Sequence, residues 1–135
     1  MTAPNSQAST PLQNLSANQA LRLIGSAKSV SMNAVADTVI PTINTAKYSA
    51  LYVIVTNASA SLAQAVAGLY TGPAAGGTTL VTAAALSACS GSTVVNQMTV
   101  ASTAVATSQN LYFRVTTVNT AAATADVYVY GFAFD

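Results

Sequence analysis

The chain has 135 residues, of which 5% are charged, and a formal net charge of +1. An average soluble domain carries about 25% charged residues, so the polar surface here must be built from Ser, Thr, Asn and Gln. The absence of His and Glu, and a single Cys, argue against a zinc ligand set and a disulfide framework, and four scattered cations (Arg22, Lys28, Lys47, Arg114) do not form a nucleic-acid patch.

Residues 1–14, MTAPNSQASTPLQN, offer little to bury and are expected to form a flexible N-terminal arm or tether. They lack the basic and apolar segments of a signal peptide. Residues 15–135 are then one domain, long enough for a core without disulfides. LSANQALRLI (15–24) suits one or two helical turns capped by Ser16, with Leu21 and Ile24 on one face, and equally a strand. From Lys28 the β signals dominate. Lys28–Ala34 alternates, with Val30, Met32 and Ala34 against Ser29, Ser31 and Asn33. Asp37–Ile40 is a short strand stopped by Pro41. Tyr48–Thr56 is β-branched and aromatic, the strongest strand signal in the chain. After a turn at Asn57–Ser61 come strands at Gln64–Thr71 and Thr78–Ala85, placed to pair with each other. Ala83–Ala88 is the one central stretch where Ala-rich sequence could turn helical. Thr93–Val100 is a further strand. Asn110–Val118 and Asp126–Phe134 are expected to form the last pair, joined by NTAAATA.

About eight short strands, with turn signals every eight to fifteen residues, predict an all-β fold. The expected form is a single small antiparallel β-sandwich or barrel, jelly-roll-like or immunoglobulin-like. No helical pattern alternates with the strands, which argues against a parallel α/β sheet. No apolar run is long enough for a membrane span.

Strand patterning separates two kinds of surface. Leu111, Phe113 and Val115 face one way and Tyr112, Arg114 and Thr116 the other, the pattern of a half-buried strand. Asp126–Phe134 departs from it: Val127, Val129, Gly131 and Ala133 lie opposite Tyr128, Tyr130, Phe132 and Phe134. Tyr48–Thr56 behaves similarly, with Tyr52 and Ile54 opposite Leu51, Val53 and Val55. A strand apolar on both faces needs cover on both. Either loops wrap the second face or it packs on another subunit. The second reading is preferred, with Tyr128, Tyr130, Phe132 and Phe134 at a subunit interface, since each aromatic side chain can bury roughly 150–250 Å² and a large exposed apolar patch is rare on a monomer.

Catalytic motifs are missing. Asp37, Asp126 and Asp135 are isolated in sequence, and Ser26 and Ser29 flank Lys28 without the S-x-x-K spacing. Cys89 reads as a small buried hydrophobe. The N-x-S matches at Asn14 and Asn57 read as chance in a Ser-rich chain. One stretch, GPAAGGTT (72–79), has the glycine spacing of a phosphate-binding loop, with Thr78 where the lysine belongs. It lacks the lysine, a helix-opening sequence after it and a downstream carboxylate for Mg²⁺. The preferred reading is a strand-reversal loop at Gly72, Pro73, Gly76 and Gly77, with Pro73 at position i+1 of a turn and Gly76 or Gly77 supplying a positive φ. No cofactor, metal or nucleic-acid partner is expected, and no enzyme activity.

Several segments together resemble small virion proteins encoded among the head genes of tailed bacteriophages: ADTVIP (36–41), YVIVTNASASL (52–62), AGLYTGPAAGGTTLV (67–81), LYFRVTT (111–117) and ADVYVYGF (125–132). The resemblance implies a β-sandwich or barrel that decorates or cements the outside of an icosahedral capsid. It further implies a homo-oligomer, a trimer first, with the major capsid protein as partner. The protein would be made in the host cytoplasm and reside on the capsid exterior. A head-fibre or host-surface (glycan) binding module is the alternative, because aromatic faces flanked by Asn, Thr and Ser loops can hold sugars.

Overall fold

The computed structural model describes residues 21–43 and 47–134. The expected arm at 1–14, Ser16 and most of the ambiguous 15–24 stretch lie outside them. Eight strands follow in order: β1 (Arg22–Ser31), β2 (Asp37–Pro41), β3 (Lys47–Thr56), β4 (Val66–Tyr70), β5 (Thr79–Ala85), β6 (Asn96–Met98), β7 (Asn110–Thr117) and β8 (Thr124–Phe134). The described residues contain no helix. The Ala-rich stretch continues β5 to Ala85, and Leu86 then turns into the core.

The strands form two four-stranded sheets, ordered β1-β8-β3-β6 and β2-β7-β4-β5. Every neighbouring pair is antiparallel. The first strand pairs with the last, the second with the seventh, the third with the sixth, and the fourth with the fifth. The chain is thus one long ribbon folded back at β4–β5. It wraps on itself so that β8 also meets β3 and β7 also meets β4. That pairing is a jelly roll, one of the two topologies left open by strand count and spacing.

Strand order overturns the expected final hairpin. β7 lies between β2 and β4 in the second sheet, while β8 lies between β1 and β3 in the first, so the two do not pair. Their connection crosses from one sheet to the other and is fastened there. Asn119 is buried, and its side-chain amide donates to the carbonyls of Ser61 (3.0 Å) and Ala121 (2.9 Å). Asn33 donates to the Asn119 and Ala121 carbonyls and accepts from the Ala123 N–H. These bonds tie the crossing loop to its neighbours and satisfy backbone groups that have no strand partner.

β1 also differs from the expected Lys28–Ala34. It starts at Arg22 and ends at Ser31, with irregularities after Leu23 and after Ala27. Ala27 pairs with Val127 and Val30 with Ala125, so Lys28 and Ser29 bulge out of the ladder, and Ser29 takes φ 53°. β6 is only Asn96–Met98, because Val94 is held in a turn by its N–H bond to the Gly91 carbonyl.

The core lies between the sheets. Ile24, Ile40, Val53, Val55, Leu69, Leu80, Leu111, Phe113, Val127 and Val129 are all buried there. Each such side chain stabilises the fold by about 1.5–3 kcal/mol relative to exposure. Tyr48 is fully buried, and its hydroxyl donates to the Ser108 carbonyl at 2.7 Å, so the polar tip is satisfied. Burial pushes its phenol pKa up.

Candidate functional site

β8 has a strand on each side, and its two faces have different surroundings. Val127, Val129 and Ala133 point into the core and are buried. Tyr128, Tyr130 and Phe132 lie on the outer face, half-buried, and Phe134 ends the row at 38% exposure. Register sets their neighbours. Tyr130 lies between Leu23 of β1 and Tyr52 of β3, and Tyr128 between Ser26 and Ile54. Leu23 and Tyr52 are 39% and 43% exposed. The Tyr128 and Tyr130 rings stack with centroids 6.4 Å apart and planes inclined by 25°. The four aromatics of β8 thus share one sheet face, broadened by Leu23, Tyr52 and Ile54. Tyr52 and Ile54 were legible in the alternation of β3. Leu23 was not, because the β1 irregularities hide its parity.

A polar cluster closes one end of this face. The Lys28 ammonium sits 4.5 Å from the centre of the Tyr128 ring, donates a hydrogen bond to the Tyr128 hydroxyl, and lies 3.7 Å from Asp126 Oδ2. The Tyr128 hydroxyl is the main cause of a raised Lys28 pKa. Asp126 is buried and accepts from the Ser29 N–H (2.8 Å) and the Asn57 side-chain amide (3.0 Å). Ser29 and Asn57 both have positive φ. The Ser29 N–H, helped by Asn57 and Lys28, holds the Asp126 carboxyl below the usual carboxylate range, although burial works the other way.

Gly72, Pro73, Gly76 and Gly77 lie in the β4–β5 connection, which reverses the chain between paired strands. Its conformation corrects the expected turn. Pro73 stands at position i, with the Gly76 N–H bonding its carbonyl at 2.9 Å. Position i+1 is Ala74 (φ 54°) and i+2 is Ala75 (φ 61°), which makes a type I′ turn without Asn or Gly at either central position. Gly77 has φ 68°, and a Cβ there would meet Thr71 Oγ1 at 2.4 Å; Gly76 does not have positive φ. The turn is tethered across the second sheet: the Ala74 N–H donates to Asp37 Oδ2 at 2.8 Å, and Asp37 Oδ1 takes Arg114 at 3.1 Å. β5, not a helix, follows the loop, so no helix N-terminus faces it.

Elsewhere, Cys89 is buried, and burial pushes its thiol pKa up. Among the described residues no three of His, Cys, Asp and Glu come together, and no helix is long and apolar enough to cross a membrane. In comparisons with known proteins, no family model, no curated protein and no solved structure matches the chain.

Proposed function

We propose that the protein is a non-enzymatic virion structural protein that binds the outside of an assembled bacteriophage capsid and stabilises it, acting as a homo-oligomer, a trimer first. Jelly rolls occur in viral capsid and lectin domains, and a fold alone assigns no function. The observation that carries the reading is the outer face of the β1-β8-β3-β6 sheet. Tyr52, Tyr128, Tyr130, Phe132 and Phe134 form a continuous aromatic row on a chain that is only 5% charged. Aromatic residues dominate the energetics of protein interfaces, and a stable interface buries about 800 Å² per partner. The row supplies the centre of such an area, and the charged residues at its two ends, Lys28 over Tyr128 and Lys47 paired with Phe134, supply part of a polar rim. A partner that binds only the assembled shell stabilises that shell by mass action.

Light scattering on the full chain, paired with co-sedimentation with assembled shells, tests this. A trimer that pellets with shells is expected. Tyr52→Ser with Tyr130→Ser should yield a folded monomer. A wild-type monomer that stays in the supernatant overturns the reading.

A further inference from the structure

Residues 101–108 run as a strap along the open side of the sandwich, from β5 of one sheet to the start of β3 in the other. The Ala101 N–H bonds the Leu80 carbonyl at 2.6 Å. Ser49 Oγ donates to the Thr103 carbonyl at 2.6 Å, and Ala106 exchanges both backbone bonds with Tyr48 at 2.7 and 3.0 Å. The buried Tyr48 hydroxyl then holds the Ser108 carbonyl. Between this strap and the base of the β4–β5 hairpin lies a half-open cavity of about 180 Å³, walled by Thr71, Thr78 and Leu80 on one side and by residues 104–108 on the other. No residue of the aromatic row lines it.

We propose that this cavity binds one uncharged sugar residue, such as the terminal pyranose of a glycan. Its lining selects that chemistry. Four residues with hydroxyl side chains (Thr71, Thr78, Thr107, Ser108) line it from three chain segments, beside Leu80, Val105 and two alanines. Thr71 Oγ1 already accepts the Thr78 N–H and Ser108 Oγ donates to the Asn110 carbonyl, which leaves Thr78 and Thr107 as the hydroxyls offered to a ligand. A pyranose has the matching division, a hydroxyl rim around apolar C–H faces. No charged side chain lines the cavity, so a phosphate or carboxylate would lose its hydration with no cation to replace it. No aromatic ring lines it, so a nucleobase has nothing to stack on. The volume lies below the roughly 300–1,000 Å³ of pockets that hold drug-sized ligands. That accommodates one ring and not a chain. The fastened strap makes the site preformed, which lowers the ordering cost of binding. With so few contacts, affinity for a free monosaccharide should be in the millimolar range.

The inference is independent of shell binding, and its test uses no shells. Saturation-transfer NMR on the full-length protein would probe glucose, galactose, mannose, N-acetylglucosamine and rhamnose, with glucuronic acid and glycerol as controls. At least one neutral sugar should bind, and both controls should fail. Thr78→Val with Thr107→Val keeps the side-chain shapes and removes two hydroxyls; it should weaken binding at least tenfold with the melting temperature unchanged. Tyr52→Ala should leave sugar binding intact. Silence from every neutral sugar at tens of millimolar, equal binding of either control, or binding that follows Tyr52 instead of the threonines would each overturn the proposal.

Discussion

Asp126 shows how one side chain can hold three segments. Its carboxylate accepts from the β1 bulge at Ser29, from Asn57 just after β3, and faces Lys28. Both Ser29 and Asn57 have positive φ, a conformation that costs a non-glycine residue about 1–2 kcal/mol. The charged hydrogen bonds offset that cost. Because the folded pKa is depressed, the folded state binds its proton less readily than the unfolded chain does. The resulting stability is fully present above the unfolded pKa, about 3.9, and is lost as pH falls through the lower folded value. Acid titration of the melting temperature should therefore show a drop beginning near pH 4. Asp126→Ala should cost about 1–3 kcal/mol at neutral pH, through donors left without an acceptor, and should flatten that acid limb. An unchanged limb in the variant would assign the acid sensitivity to another group. Sequence alone marks Asp126 only as an isolated acid, because its partners are brought in by a bulge and by a neighbouring strand.

At the scale of elements, intrinsic preference located the strands, and distant partners determined how they pair. β3 and β8 were legible because β-branched and aromatic residues recur along both, on the buried face and on the outer face alike. β7 was legible from strict alternation. The partner of β7 was not, since nearness in sequence favours a hairpin with β8 while the buried faces of β2 and β4 compete for the same edges. The register irregularity of β3 against β8, between Ala50 and Tyr52, was equally hidden. Beside it β3 and β8 approach so closely that a Cβ on Gly131 would meet the Ser49 carbonyl oxygen at 1.9 Å. The β4–β5 turn was legible as a reversal and not in its detail. Glycine in the segment suggested where φ would turn positive, yet two alanines carry the type I′ positions because Asp37 holds the Ala74 N–H. That arrangement leaves stability to be gained. Asn-Gly is the preferred I′ pair, so Ala74→Asn with Ala75→Gly should raise stability by about 1 kcal/mol, the relief of left-handed strain less the backbone entropy of glycine. A urea denaturation midpoint that moves upward at constant slope is expected. A lower midpoint would mean that the two alanine methyl groups contribute packing that outweighs the strain.

For the whole molecule, the nested pairing makes the last strand essential to the first sheet. β8 pairs with β1 on one side and β3 on the other, joining Arg22 to Gly131 and Lys47 to Phe134. No other strand links β1 to β3 in that sheet. Losing β8 would expose the core faces of Ile24, Val53 and Val55 and leave the second sheet with nothing to pack against. The stability of a domain this size is a small difference between large terms, about 5–15 kcal/mol in all, whereas Val127, Val129 and Ala133 together with both hydrogen-bond ladders of β8 contribute a comparable amount. A chain truncated after Val118 should therefore show no cooperative thermal transition and should be cut rapidly by protease throughout, the β4–β5 hairpin included. The same nesting governs speed. The first and last strands must meet before the first sheet is complete, and folds dominated by such distant pairings refold in milliseconds to seconds. Stopped-flow refolding of the full chain should fall in that range. A truncated chain that still melts cooperatively would show that the second sheet folds alone and that the jelly roll is assembled from two independent halves.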